Sequence, residues 1–329
     1  MVSINAPVRE HMTSLGPVWA DWQARLPEVL AKCEERWGVE IGERIARRVT
    51  SSLFRVKVRG REAVLKVALP GPHLRQQAQV LESARGEGYV YLYDRDDDLG
   101  ALLLESLGGT LEARGEALYQ SLPPNVLLPL IHDSELVKPL VDTLKVAWKL
   151  PHELAEVPDE TTYKAAQLRD LIDRLADSLG VREQHADAIA RARIYAEQRL
   201  GAREDSWMVV CHGDPHPGNL LEVPHPRPGA PTGYVWVDPD GFLCEPEYDL
   251  GVVLRGFNRL ILAAEDPVVT LRSWCAVLAE ATGTDAEAIW QWAFIERVSS
   301  GLYLMDQGWR ERGRQFLESA TWVIARKRP

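Results

Sequence analysis

Two short turns, each fed by a β-prone run, constrain this chain more than any other feature. His212-Gly213-Asp214-Pro215-His216-Pro217-Gly218-Asn219 follows the apolar run Trp207-Met208-Val209-Val210-Cys211, and Asp238-Pro239-Asp240-Gly241 follows Tyr234-Val235-Trp236-Val237. Both runs read as buried strands, with Leu220-Leu221 as a short strand leaving the first turn. Between them, Pro224-His225-Pro226-Arg227-Pro228-Gly229 reads as a hairpin connection, because each proline removes a ladder donor. The turns supply an acid, an amide and a second acid at a spacing that suits metal-dependent phosphoryl transfer. That chemistry needs a carboxylate beside the attacking hydroxyl, here Asp214, and oxygen ligands for Mg²⁺ on the phosphates, here Asn219 and Asp238. A hydrolytic metal centre on His212, Asp214 and His216 is the weaker reading, since histidines four apart share a face only on a helix and Pro215 and Pro217 rule one out.

Charge and cysteine usage narrow the partners. A net charge of −10 over 329 residues, with no run of Lys or Arg, argues against nucleic acid and suits a small cationic substrate. Cys33, Cys211, Cys244 and Cys275 lack C-x-x-C spacing, so neither a zinc knuckle nor a disulfide framework is indicated, and a reducing cytoplasm is the expected location. No apolar stretch reaches membrane-spanning length, and residues 1–10 lack a signal-peptide pattern. No membrane partner is expected.

The first third of the chain alternates and the rest is helical in period. Residues 18–37 carry apolar residues at near-helical spacing interrupted at Pro27, which predicts a kinked helix or two short ones. Residues 44–49, 53–58 and 62–69 read as strands, the latter two joined by a turn at Arg59-Gly60-Arg61. Val64-Leu65-Lys66-Val67 embeds a lysine among apolar strand residues, so its ammonium must snorkel outward or meet an anion. A helix is expected over 73–84, a β-prone run over 89–93, a solvated acidic turn over 94–98 and a buried strand over 101–104. Helices follow over 134–150, 163–179, 182–200, 249–264, 267–281, 286–304 and 309–325. Trp274, Trp290, Trp292, Trp309 and Trp322 each fall within an apolar stripe and are expected in the core.

The spacing His212-x-Asp214-x₄-Asn219 resembles the protein-kinase catalytic loop, with Asp238 followed by Gly241 where the second metal ligand stands. The pair of motifs resembles the aminoglycoside phosphotransferase family. The run Trp236-Val237-Asp238-Pro239-Asp240-Gly241-Phe242-Leu243-Cys244-Glu245-Pro246-Glu247-Tyr248-Asp249-Leu250 is similar to its aminoglycoside 6-phosphotransferase and hydroxyurea kinase subfamily. The resemblance implies an α+β, two-lobed protein-kinase-like fold: residues 1–107 form a β-rich nucleotide-binding lobe with a leading helix, and 108–329 a mainly helical lobe with the catalytic loop and acceptor site. It implies ATP or GTP with Mg²⁺, Asp214 as the catalytic acid–base group, and Asn219 and Asp238 as metal ligands. Lys66 would hold the α/β-phosphates, with Gln77 standing at the aligned position of its usual glutamate partner and Glu82 nearby. The turn Thr50-Ser51-Ser52 would cover the phosphates without the expected glycines, and residues 105–107, bounded by Glu105 and Leu107, would form the adenine-binding hinge. His212 and Asp249 would be structural, Asp249 as helix N-cap and tether of the catalytic loop. Glu245, Glu247 and Asp306 are the acids that could face a bound acceptor. The implied activity is transfer of phosphate to a hydroxyl of an aminoglycoside such as streptomycin, by a monomer. Alternatives are a kinase of the same fold acting on an amino sugar, an amino alcohol or hydroxyurea, and a nucleotide-binding pseudokinase.

Overall fold

The computed structural model describes residues 16–47, 51–115 and 137–325. It opens with helix α1 (Gly16–Trp37), a single helix that contains Pro27. The strands β1 (Val39–Arg47), β2 (Ser51–Val58), β3 (Arg61–Ala68), β4 (Leu92–Asp96) and β5 (Ala101–Glu105) form one antiparallel sheet in the order β1-β2-β3-β5-β4. Register between β2 and β3 is set by a two-residue turn: Val58 opposes Arg61, and Arg59 and Gly60 both take positive φ, as a type I′ hairpin requires. One face of this sheet buries Phe54, Val56, Leu65, Val67 and Leu103 against Trp22, Leu26, Val29 and Cys33 of α1. The other is covered by α2 (Pro72–Ala84), which starts on a proline at its first turn and ends on Arg85 and Gly86 in the left-handed region.

The strand boundaries correct two expectations. Ser51 and Ser52 are not turn residues: they open β2, buried, opposite Ala68 and Val67. Thr50 lies outside the described residues. The acids at 94–98 are only in part a turn, for Asp94 and Asp96 lie in β4, where Asp94 accepts from Trp37 Nε1 and Asp96 from the amides of Asp98 and Leu99.

The second lobe is built on helices α3 (Val137–Ala147), α4 (Lys164–Ser178), α5 (Ala186–Gly201), α6 (Pro246–Arg255), α7 (Asn258–Ala263), α8 (Pro267–Thr282), α9 (Ala286–Asp306) and α10 (Arg310–Ala325). At its centre is α9, buried on all sides from Ala288 to Tyr303 and packed on α4, α5, α6, α8 and α10. It packs tightly on α6 at Gly251, where a Cβ would sit 2.6 Å from Trp292 Cβ. Trp274, Trp290 and Trp292 are core residues as expected, whereas Trp309 is exposed and Trp322 only partly buried. The expected helix over 249–264 is two helices: it begins three residues earlier, at Pro246, and breaks after Arg255. Among the described residues no helix is long and apolar enough to cross a membrane.

Two small ladders carry the site. β6 (Val209–Cys211) pairs with β9 (Phe242–Cys244), and β7 (Leu220–Glu222) with β8 (Tyr234–Trp236), both antiparallel. The turn at 212–219 leaves β6 and enters β7, and the turn at 237–241 leaves β8 and enters β9. Each therefore has both ends fixed by hydrogen-bonded strands.

Candidate active site

The two turns are stapled to each other. Asp240 N donates to His212 O at 2.8 Å, and Val237 N to Asn219 O at 2.9 Å. His212 pins the join from inside: its Nδ1 accepts from Asp214 N at 3.1 Å and its Nε2 donates to Val237 O at 3.0 Å, which fixes the neutral tautomer. Its ring lies between Tyr89 and Trp236 with no exposed surface. Burial pulls its pKa down to about 4, against the pull of the Asp214 carboxylate. Gly213 takes φ +90 and leaves no room for a side chain, since a Cβ would fall 2.5 Å from Asp240 Oδ2.

Asp249 lies at the base of the loop. It is not the N-cap, a position held by Glu245 without a side-chain bond. Its carboxylate instead accepts from His212 N at 2.8 Å, Gly213 N at 2.9 Å and Trp148 Nε1 at 2.8 Å. Complete burial raises its pKa to about 6, and those three bonds oppose the rise. Asp214 Oδ1 accepts from Arg255 Nη2 at 2.5 Å, and Arg255 Nη1 reaches Glu296 Oε2 at 2.8 Å. Asn219 Nδ2 donates to the Asp214 carbonyl at 3.1 Å, which leaves Asn219 Oδ1 buried without a hydrogen-bond partner. A buried amide oxygen of that kind fits a hard cation.

Lys66 crosses from the upper sheet to the lower turn. Its Nζ donates to Asp238 Oδ1 and to Gln77 Oε1, each at 2.7 Å. Gln77 is the polar residue on the buried face of α2, and Glu82, the nearby acid, is exposed beside Arg95. Asp238 itself has φ 59, a left-handed conformation that Asp tolerates better than most residues, and strain of this kind concentrates at functional turns. Gln76 Nε2 adds a second tie from α2, to Gly241 O at 2.8 Å.

The other expected site residues are placed as follows. Glu105 ends β5, and its carboxylate receives two bonds of 2.7 Å from Arg227, whose guanidinium also donates to the carbonyls of Gly86 and Tyr89. Leu107 is partly buried against Val223, Ala230 and Val235. Ser52 Oγ is buried without a partner. Glu245 and Glu247 point into the lobe: Glu245 meets Arg199 at 3.1 Å and Trp292 Nε1 at 2.7 Å, and Glu247 accepts from Trp207 Nε1 and Asp285 N. Asp306 is the half-buried last residue of α9, not part of the break after it. Arg255, Glu296 and Arg227 were not singled out from sequence. Arg255 follows the apolar run Val252-Val253-Leu254 and Glu296 follows Ala293-Phe294-Ile295; a buried charge there must find a partner, and that is the signal that marks them.

A β-sheet lobe joined to a helical lobe, with the two turns and Lys66 between them, is the protein-kinase-like fold. The crystal structure of a thermostable mutant of aminoglycoside phosphotransferase APH(4)-Ia, in ternary complex with AMP-PNP and hygromycin B, superposes with a TM-score of 0.58 at 15% identity, over 90% of this chain and 97% of that one. The ethanolamine kinase of Plasmodium vivax gives 0.52 at 15% identity, over 87% of this chain and 83% of that one. The chain belongs to the aminoglycoside/hydroxyurea antibiotic resistance kinase family, whose pattern matches residues 36–308. Among its relatives are the streptomycin 6-kinase of Streptomyces griseus, 25% identical over 296 residues (87% of this chain, 85% of that enzyme), and that of Streptomyces glaucescens, 23% identical over 312 residues (94% and 92%). The chain is accordingly a phosphotransferase of the antibiotic-resistance type that acts on an alcohol group.

Proposed function

We propose that this protein transfers the γ-phosphoryl group of ATP to a hydroxyl of a small cationic acceptor, an aminoglycoside of the streptomycin type. The observation that carries the reading is the meeting of Lys66 with Asp238 at 2.7 Å beside the unpartnered Asn219 Oδ1. That arrangement brings a cation for the α/β-phosphates and two oxygen ligands to the join of the two turns, the parts phosphoryl transfer needs. Among the described residues no three His, Cys, Asp or Glu side chains gather as metal ligands. One carboxylate and one amide, completed by phosphate oxygens, is the usual way Mg²⁺ is held. Mg²⁺, when bound, neutralises charge on the phosphates; Asn219 and Asp238 would hold it, and Lys66 would move from Asp238 to the α/β-phosphates. Asp214 orients the acceptor hydroxyl and takes its proton. Most of the acceleration comes from positioning and electrostatics.

The streptomycin 6-kinases among the relatives and the net charge of −10 support a cationic acceptor. AMP-PNP in a solved structure of the same fold supports ATP as donor. On this reading the nucleotide lies between residues 1–107 and 108–329, with the hinge at 105–107, and the protein works as a monomer in the cytoplasm, where its four buried free cysteines stay reduced. The test is Mg²⁺-dependent ADP release screened against streptomycin, other aminoglycosides, amino sugars and hydroxyurea. Turnover with streptomycin, lost in Asp214→Ala while nucleotide affinity persists, is the expected result. An unimpaired Asp214→Ala protein would sink the mechanism, and turnover with another acceptor alone would replace the substrate.

A further inference from the structure

The loop that carries Asp214 is gripped by one helix at three points. From its first turn α6 offers Asp249 to the amides of His212 and Gly213. Beside it, Tyr248 sends its hydroxyl to Gly213 O at 3.4 Å and to Glu296 Oε1 at 2.9 Å. From its last turn Arg255 reaches the Asp214 carboxylate itself. The two ends of one rigid element thus set the backbone and the side chain of the same loop.

Arg255 has little freedom of its own. One guanidinium nitrogen donates to Asp214 Oδ1 at 2.5 Å, and the other to Glu296 Oε2 at 2.8 Å and to Ser300 Oγ at 3.5 Å. Glu296 and Ser300 are one turn apart on the buried α9, so the planar group is clamped between a carboxylate of the core and one of the site. Burial acts to lower the Arg255 pKa, but the Asp214 and Glu296 carboxylates outweigh it and the guanidinium stays charged. Oδ1 of Asp214 carries the arginine at 2.5 Å, and Oδ2 lies 3.5 Å from Asn219 Nδ2 and 3.7 Å from His216 Nε2.

We propose that Arg255 is the positioning residue of Asp214: backed by Glu296, it holds Oδ1 and so fixes the orientation in which the carboxylate meets the acceptor's hydroxyl. The inference rests on the phosphotransferase reading above. In the step it serves, the acceptor oxygen forms a bond to the γ-phosphorus, and the bond from that phosphorus to the β,γ-bridging oxygen breaks. The electron pair leaves on the nucleoside diphosphate, and the hydroxyl proton passes to the Asp214 carboxylate. A carboxylate free to rotate would spend most of its time with neither oxygen aligned, and misplacement by about 1 Å can cost roughly 100-fold in rate. A lysine at 255 keeps the charge but cannot span two carboxylates in one plane.

The test compares the full-length wild type with Arg255→Lys and with the double variant Arg255→Met/Glu296→Gln, which removes the buried cation together with one of its acids so that the core is not left with two uncompensated charges. Rates are normalised to folded, ATP-binding protein, using the acceptor that gives wild-type turnover in the screen. The expected result is a fall in kcat of about 10-fold for Arg255→Lys and roughly 100-fold or more for the double variant, with KM for ATP and for acceptor within about 3-fold of wild type in both. The lysine therefore rescues in part. Equal kcat per folded molecule in all three proteins, with only stability reduced, would make Arg255 a core ion pair and overturn the inference. So would parallel losses in kcat and in both affinities. Asp214→Asn separates the two levels. If it retains turnover, or if the wild type turns over no acceptor, the phosphotransferase reading fails and this inference with it; if it is inactive while the Arg255 variants keep wild-type kcat, this inference alone fails.

Discussion

His212 should make the stability of this protein depend on pH in a calculable way. Its ring must stay neutral, because Nδ1 accepts from Asp214 N, and a protonated nitrogen could not accept that bond. The folded value is about 4 against 6.5 for an unperturbed histidine. A depressed value means the unfolded chain binds the proton first. The contribution is therefore complete above pH 6.5 and is lost as pH falls toward 4. Between pH 7 and pH 5 the linkage integral gives about 2 kcal/mol of lost stability from this one residue. The perturbation is His212→Gln, whose amide can still donate to Val237 O but does not titrate. Unfolding free energies from urea denaturation of both proteins at pH 7 and pH 5 supply the assay. Wild type should be the more stable at pH 7, and its advantage should shrink by about 2 kcal/mol at pH 5. Asp249 and Glu245, raised by burial, titrate in the opposite sense but are present in both proteins and cancel in the difference. An advantage that is the same at both pH values would refute the buried neutral pin.

Glu245 carries the opposite sign: burial lifts it to about 7, Arg199 opposing and Glu247 adding to the rise, so its contribution is complete below 4.5 and lost as pH climbs through 7. The urea midpoint of wild type measured against Glu245→Gln should accordingly fall between pH 5 and pH 8, and a difference independent of pH would count against it. Gly213→Ala would drive a Cβ to 2.5 Å from Asp240 Oδ2 and 2.8 Å from Phe242 Cε1 at a φ of +90, so we expect a loss of about 2 kcal/mol or more by urea denaturation together with a fall in kcat. Arg227→Met removes both bonds to Glu105 and those to the carbonyls of Gly86 and Tyr89, and leaves a carboxylate partly buried. A destabilisation of about 2–4 kcal/mol is expected, and pairing it with Glu105→Gln should recover part of that; a full additive loss in the double variant would deny the clamp.

Much of the candidate site lay in local sequence. The turn at 212–219 and the turn at 238–241 are short, are bounded by β-prone runs, and hold their chemistry within a few residues of one another. Spacing along the chain therefore translated almost directly into spacing in the fold. A hairpin turn at Arg59-Gly60-Arg61 was legible for the same reason, as were most helix limits, which periodicity and breakers set, but not the all-round burial of α9. Lys66 was legible as a charge in an apolar strand, but its partner was not: choosing Gln77 over Glu82 depends on which face of α2 meets β3.

What tertiary structure alone decided is where charges far apart in sequence meet. Arg255 and Glu296, joined by a hydrogen bond, are 41 residues apart on different helices, and each reads locally as a charge at the end of an apolar run. Arg227 stands in a proline-rich connection that reads as a mere linker, yet its target Glu105 lies 122 residues earlier. Glu245 and Glu247, expected at an acceptor surface, are drawn inward because α6 begins at Pro246 and turns them toward Arg199, Trp292 and Trp207. Local pattern fixes backbone conformation and the identity of groups that act within one turn of the chain. Which buried charge pairs with which depends on how helices cross, and that is set by the packing of the whole lobe around α9.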